Sequence, residues 1–101
     1  EQVILPFERD NVRHIYNQFV IRVPEKRDEL RKFLAENDIG TDIYYPVSLH
    51  LQECFEYLGY KEGDFPESEK ASRETLAIPI YPELKKEQQE YVVEKITEFF
   101  N

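Results

Sequence analysis

Residues 14–23, HIYNQFVIRV, decide the fold together with the stretch that follows them, PEKRDELRKFLAEND, residues 24–38. In the first stretch β-branched and aromatic residues recur with a period of two, which predicts a strand over 14–23. One face of this predicted strand is apolar apart from Asn17, and its other members are Ile15, Phe19, Ile21 and Val23.

A helix is predicted directly after this strand. Pro24 stops the strand and stands where a helix can start, and Gly40 suits the left-handed turn that often ends one. Between them the apolar residues fall at helical spacing, at Leu30, Phe33 and Leu34. Residues 41–46, TDIYYP, then predict a short second strand, so the order is strand, helix, strand.

The remaining elements complete a small domain. We expect a helix over 49–58, a helix capped by Ser68, an edge strand over 77–82 and a final helix over 85–100. The predicted fold class is α/β (α+β), a small two-layer sandwich whose short, mostly antiparallel sheet is covered by helices. Residues 1–13 are predicted to be a linker, and residues 14–101 the domain.

Composition limits the classes of partner. The chain has 101 residues, a formal net charge of −8 and 41% hydrophobic residues, which is typical of one acidic globular domain. Because negative charge repels phosphate backbones and anionic lipids, we expect no nucleic-acid partner and no membrane partner. No apolar run approaches the roughly 20 residues that a membrane span requires.

Cysteine usage and the first residue bear on the origin of the chain. Cys54 is the one cysteine, so no internal disulfide is possible, and we expect a reducing, cytoplasmic location with Cys54 as a small buried hydrophobe. The chain begins with Glu1 and contains no methionine, which predicts a processed or truncated product.

The stretch TDIYYPVSLHLQ, residues 41–52, holds the first candidate site residues. On a strand Tyr44 and Tyr45 would point to opposite faces, so one would pack in the core and the other would face a cleft. His50 follows at the start of the next predicted helix. Two interpretations remain open. The tyrosines are structural aromatic residues and the histidine only starts a helix, or a tyrosine hydroxyl and the histidine imidazole lie at the rim of a pocket.

His14 and Asn17 on the first predicted strand are the other candidates. Asn17 interrupts an apolar face and needs a hydrogen-bond partner if it is buried. Its side-chain amide either makes its hydrogen bonds within the domain, as a structural residue, or contacts a ligand or a neighbouring domain. No glycine-rich phosphate loop and no close group of metal ligands accompanies these residues, so no metal site is predicted.

Two ordered strings carry a resemblance to a known family. They are HIYNQFVIRVPEKRDELRKFLAENDIGTDIYYPVSLHLQE, which begins at His14, and GYKEGDFPESEKASRETLAIPIYPELKKEQQEYVVEKI, which begins at Gly59. Together they resemble the DegT/DnrJ/StrS family of sugar aminotransferases. The resemblance implies the C-terminal small domain of an enzyme with the aspartate aminotransferase fold, in which a large domain that binds pyridoxal phosphate (PLP) comes first.

The resemblance also implies an activity for the longer protein. Family members transfer an amino group, usually from glutamate, to a keto-sugar linked to a nucleotide, and they act as homodimers with active sites at the subunit interface. The lysine that binds PLP and the carboxylate that holds its ring nitrogen come from the large domain. This chain is therefore expected to contain no catalytic and no cofactor-binding residue, and to be inactive alone.

Four residues are expected on the substrate side of the site. Tyr44 stands where the family usually has a histidine before tyrosine and proline, and that histidine is associated with the sugar. His50 matches a following histidine of the family, and Asn17 matches a polar position on the first strand. His14, near the start of that strand, is the fourth predicted substrate-binding residue.

Other functions remain open at this point. Some family members are described as pleiotropic regulators, which would make the chain a regulatory or interaction module without catalysis. A PLP-dependent sugar dehydratase would carry the same small domain. An apolar surface is also expected where a large domain would pack, and it predicts a homodimer or self-association of the chain.

Overall fold

The computed structural model describes all 101 residues of the chain. It contains two strands and three α-helices in the order β1, α1, α2, β2, α3, with two 3-10 turns between α1 and α2. The strands are β1 (Phe19–Arg22) and β2 (Thr75–Ile78), and the helices are α1 (Arg27–Glu36), α2 (Pro66–Glu74) and α3 (Lys86–Phe100). The 3-10 turns span Leu49–Leu51 and Glu53–Leu58. The predicted fold class, a small α+β domain with an antiparallel sheet and covering helices, is confirmed.

The sheet is short but has partners on both sides. β1 and β2 pair antiparallel, with Ile21 opposite Leu76 and Val20 opposite Ala77. A single antiparallel bridge adds Ile4 beside β1, and another adds Asp42 beside β2. Ile4 belongs to the segment predicted as a linker, and its amide donates to the Arg22 carbonyl at 2.8 Å.

The core lies on one face of this sheet, beneath α1 and α3. Ile21 and Leu76 are adjacent across the two strands, and Leu30 and Leu34 of α1 pack on them. The four-residue spacing of the two leucines places both on one side of α1. These four side chains are at most 1% exposed, and the other members of the cluster are Val23, Ile39 and Val92 of α3.

The predicted strand over 14–23 is wrong at its N-terminal half. β1 begins at Phe19, and the chain before it turns at Tyr16, whose φ is 48°. That left-handed conformation is incompatible with a strand. Ile15, predicted on the core face, is 80% exposed, and Asn17 lies exposed on a bend.

The predicted strands over 41–46 and 77–82 also require correction. The first is reduced to the bridge at Asp42, after which the chain bends at Tyr44. The second is shifted to β2, which ends before Pro79. Since Ala77 hydrogen-bonds to Asp42 at 2.8 Å and 3.0 Å while it also lies opposite Val20, β2 is an inner strand there and not the edge.

Four predicted details of the helices and of burial are wrong. The segment 49–58 forms the two 3-10 turns and no α-helix, and α2 begins at Pro66, so Ser68 lies inside it. The left-handed residue after α1 is Asp38, with φ 60°, and not Gly40; short polar aspartate tolerates this conformation. Cys54 is exposed and not buried.

Helix α2 flanks the opposite face of the sheet. Glu74 at its end bonds Arg22 at 2.7 Å, and the Arg27 guanidinium donates to the Ser72 and Thr75 carbonyls at 3.0 Å and 2.9 Å. A cation near the last carbonyls of a helix is electrostatically favourable. None of the helices combines the length and apolarity that spanning a membrane requires.

Candidate functional site

A cleft of about 710 Å³ lies between α2 and the sheet face that turns away from the core. Its floor is apolar and includes Val20 and Ala77, which pair across the two strands. Its walls come from α2 and from the bend before the first 3-10 turn. Polar side chains are concentrated here, at Gln18, Asp42, Ser48, Ser68, Ser72 and Thr75.

Tyr44 and Tyr45 both line this cleft. They are 47% and 63% exposed, so neither packs in the core, and the predicted division between two faces is wrong. The reason is that the segment bends and does not form a strand, so the alternation of side chains does not apply. Two phenol rings therefore stand at one rim, where they can stack on a ligand and exchange hydrogen bonds with it.

Asn17 lies close to Tyr44. Both line a shallow groove that continues from the cleft along the end of the sheet. Asn17 is exposed on the bend before β1, and its side chain has no hydrogen-bond partner in the chain. The structure thus brings together two of the four predicted substrate-binding residues.

His14 lies in a different local structure. Its Nδ1 accepts a hydrogen bond from the Tyr16 amide at 2.9 Å, and its ring stacks on that of Tyr16 with centroids 4.2 Å apart. Its own amide donates to Glu8 at 2.9 Å. These contacts hold His14 within the segment before β1, and it lines neither the cleft nor the adjoining groove.

His50 occupies a separate apolar recess beside the cleft. Its side chain is only 6% exposed, its ring meets Phe65 edge-on at 4.8 Å, and its Nε2 lies 3.4 Å from Oε2 of Glu69. Leu49 and Ser68 line both the recess and the cleft. His50 therefore joins the 3-10 turn to α2 behind the cleft wall.

Glu69 is a buried carboxylate that pattern reasoning missed, because it stands in the acidic run Glu67–Glu74, and such a run usually forms a solvated helix face. Its two oxygens accept hydrogen bonds from the Gly63 amide at 2.8 Å and 3.0 Å, and Oε2 also accepts one from the Phe65 amide at 3.2 Å. The Gly63 bond is the largest cause of a lowered Glu69 pKa, and Phe65 and His50 add to it against the opposing effect of burial.

Ser48 is a second residue that sequence reasoning missed. It is 3% exposed, it lines the cleft, and its Oγ has no hydrogen-bond partner in the chain. It precedes the 3-10 turn without capping it. Only its place shortly after the tyrosine pair, beyond Pro46 and Val47, hinted at a site, since serine before a turn is ordinarily a structural choice.

The chain's own lysines do not fit attachment of PLP. A Schiff-base lysine needs a desolvated setting that lowers its pKa. Six of the seven lysines are exposed, and the remaining one, Lys95, bonds Glu98 at 2.7 Å, which raises its pKa. No group of three histidine, cysteine or acidic side chains is placed to hold a metal ion.

The fold is that of the small domain of PLP-dependent aminotransferases, and comparison with known proteins identifies the family. The chain belongs to the DegT/DnrJ/EryC1/StrS aminotransferase family, whose model matches residues 1–97. The chain is 30% identical to a solved structure, S. venezuelae DesV in complex with a ketimine intermediate, with a TM-score of 0.91 over 98% of this chain and 26% of that one.

Two curated relatives match nearly the whole of this chain. A "Pleiotropic regulatory protein" of Geobacillus stearothermophilus is 57% identical over 97% of this chain and 26% of its own length. The dTDP-3-amino-3,6-dideoxy-alpha-D-galactopyranose transaminase of Aneurinibacillus thermoaerophilus is 36% identical over 94% of this chain and 25% of its length. The chain thus spans about a quarter of the length of the relatives that it matches.

Proposed function

We propose that this chain is the small domain of a PLP-dependent aminotransferase that acts on a nucleotide-linked keto-sugar with glutamate as amino donor. The observation that carries the proposal is the superposition on DesV, with a TM-score of 0.91 at 30% identity. Relatives named as transaminases of dTDP-linked amino sugars add support for the substrate class.

In this proposal the chain supplies part of the substrate pocket and no catalytic group. The cofactor and the lysine that binds it belong to protein outside these residues, in agreement with the poor fit of all seven lysines to that role. The 101 residues alone therefore neither bind PLP nor transfer an amino group. We place the enzyme in the cytoplasm and propose that it acts as a homodimer.

Tyr44 and Asn17 are the proposed substrate contacts that the chain brings together. The Tyr44 hydroxyl both donates and accepts hydrogen bonds, so it suits the hydroxyl groups of a sugar. His50 is too enclosed by Phe65 and Glu69 to be a direct contact without rearrangement, and we propose that it supports the wall behind the cleft.

The test is an assay of the longer enzyme with PLP, glutamate and dTDP-linked or UDP-linked keto-sugars. We expect the Tyr44→Phe variant to lose roughly 3–10-fold in kcat/KM for the sugar, the value of about one neutral hydrogen bond. Tyr57→Phe is the matched control, because Tyr57 is 80% exposed and lies outside the cleft. Equal kinetics for both variants would remove Tyr44 from the site.

A regulatory module is the second candidate, because the relative with 57% identity is named a pleiotropic regulatory protein. A longer protein that transfers no amino group to any nucleotide-linked sugar would favour this candidate. A sugar dehydratase remains the third, and the assay distinguishes it by loss of a hydroxyl group without gain of nitrogen in the product.

A further inference from the structure

Two buried side-chain polar atoms of this chain have no hydrogen-bond partner, Oγ of Ser48 and Nε2 of His50, and only the latter has a charged group near it, since it lies 3.4 Å from Oε2 of Glu69. Buried hydroxyls in folded proteins nearly always have a hydrogen-bond partner, because leaving one without a partner destabilises the fold. Ser48 is 3% exposed, and its Oγ has neither a donor nor an acceptor beside it. A group maintained in this state is a candidate for a bond that forms only with a ligand.

Two of the neighbouring hydroxyls of the cleft are already used within the chain, whereas the hydroxyl of Ser68 belongs to an exposed residue. Ser72 donates to the Glu69 carbonyl at 2.7 Å, and Thr75 donates to the Ala71 carbonyl at 2.8 Å. Ser48 alone among these three retains both its donor and its acceptor capacity. It lies in the wall that also carries Tyr44.

The charge of the cleft limits what it can hold. Asp42 is the one acidic residue in its lining, and no lysine or arginine contributes to it. A diphosphate needs cations or helix amides to offset its charge, so this cleft disfavours it. An apolar floor with tyrosines and hydroxyls at its walls instead suits a neutral ring that carries hydroxyl groups.

We propose that Ser48 binds a ring hydroxyl of the sugar and thereby determines which sugars the enzyme accepts, while the nucleotide diphosphate is bound by protein outside this cleft. This inference rests on the proposed function and adds a specificity-determining residue to it. Because less than 1 Å² of the oxygen is accessible, the wall around Ser48 must open when the sugar enters, and the bend before Ser48 is exposed at Tyr45 and Val47.

The experiment compares Ser48→Ala with wild type in the PLP-loaded longer enzyme. We expect KM for the nucleotide-linked sugar to rise roughly 3–10-fold while KM for glutamate is unchanged. The melting temperature should stay the same or rise, because the substitution removes an unsatisfied buried hydroxyl. A lower melting temperature with an unchanged sugar KM would assign Ser48 a structural role and overturn the inference.

Calorimetry separates this inference from the proposed function. The probes are dTDP-glucose and UDP-glucose, each compared with its nucleoside diphosphate. Ser48→Ala should weaken binding of the sugar nucleotide and leave binding of the diphosphate unchanged, whereas Tyr57→Phe should weaken neither. Equal weakening of both ligands overturns the inference alone. Failure of the wild-type enzyme to bind either sugar nucleotide overturns the inference and removes the support for a sugar substrate.

Discussion

At the scale of single residues, Glu69 is a charged residue that would be expected on the surface but is buried and stabilises the loop before α2. Its carboxylate accepts three hydrogen bonds from the backbone amides of two residues in the loop before α2, and it faces the His50 ring. Bonds from amides favour the ionised carboxylate, which is why the pKa of Glu69 is lowered. The loop conformation therefore depends on the charge of one side chain.

We predict that Glu69 makes the stability of the domain sensitive to acid. Because its pKa is lower in the folded state than the ordinary value of 4.5, its stabilising contribution is complete above that value and is lost as the pH falls through the lower folded pKa. Urea unfolding measured from neutral pH downward should show this loss in wild type.

The Glu69→Gln variant should be less stable than wild type at neutral pH and should show a flatter dependence on pH in the acid range. Glu67→Gln is the control, since Glu67 is exposed on the same helix. A Glu69→Gln variant that keeps the acid sensitivity of wild type would mean that other carboxylates are responsible.

At the scale of elements, α1 holds the core together because its two buried leucines lie one helical turn apart. We predict that Leu34→Ala reduces the free energy of unfolding by about 2–5 kcal/mol, since it removes a fully buried side chain and leaves a cavity. Leu58→Ala, at a position 49% exposed, should cost less than about 1 kcal/mol. Chemical denaturation measures both, and equal losses would contradict the assigned core.

The elements also show where pattern reasoning succeeds. The helix stripes of α1 and α3 place Leu30, Leu34 and Val92 in the core, as the helical spacing predicts. The strands were harder, because alternation continues through His14–Gln18 while the backbone turns at Tyr16. Alternation of polar and apolar residues reflects the chemistry of the side chains and does not show that a partner strand is present. Before Phe19 the chain has no strand to pair with.

The cleft was only partly predictable for the same physical reason. Tyr44 and Asn17 were selected by residue type and by resemblance, and the chain does bring them together. Ser48 and Glu69 acquire their roles only from burial, which depends on how α2 meets the 3-10 turn. The hydrogen bonds of Glu69 are local, to Gly63 and Phe65, but its contact with His50 joins residues about 20 positions apart, and no local pattern records that contact.

At the scale of the whole molecule, a groove of about 580 Å³ lies between α3 and the end of the sheet, and 11 of its 16 lining residues are hydrophobic. Exposed apolar surface of this kind is costly in a monomer and favours association. We propose that this groove is the face through which the isolated chain self-associates.

The Val93→Glu substitution tests that proposal. Val93 lines the groove and is 61% exposed, so the charge should leave the fold intact and raise the dissociation constant of the dimer at least about tenfold. Val12→Glu is the matched control, because Val12 is 57% exposed and lies outside the groove. Sedimentation velocity over a concentration series measures both, and a wild-type chain that stays monomeric throughout would refute the self-association.

The bonds from Arg27 to the Ser72 and Thr75 carbonyls have a mechanical consequence. They attach the first turn of α1, whose leucines anchor it in the core, to the junction between α2 and β2. One wall of the cleft is therefore anchored to the core through α1, while the opposite wall is an exposed bend. We expect the two walls to differ in their fluctuations, so that the entropy lost when a ligand is bound falls almost entirely on the bend.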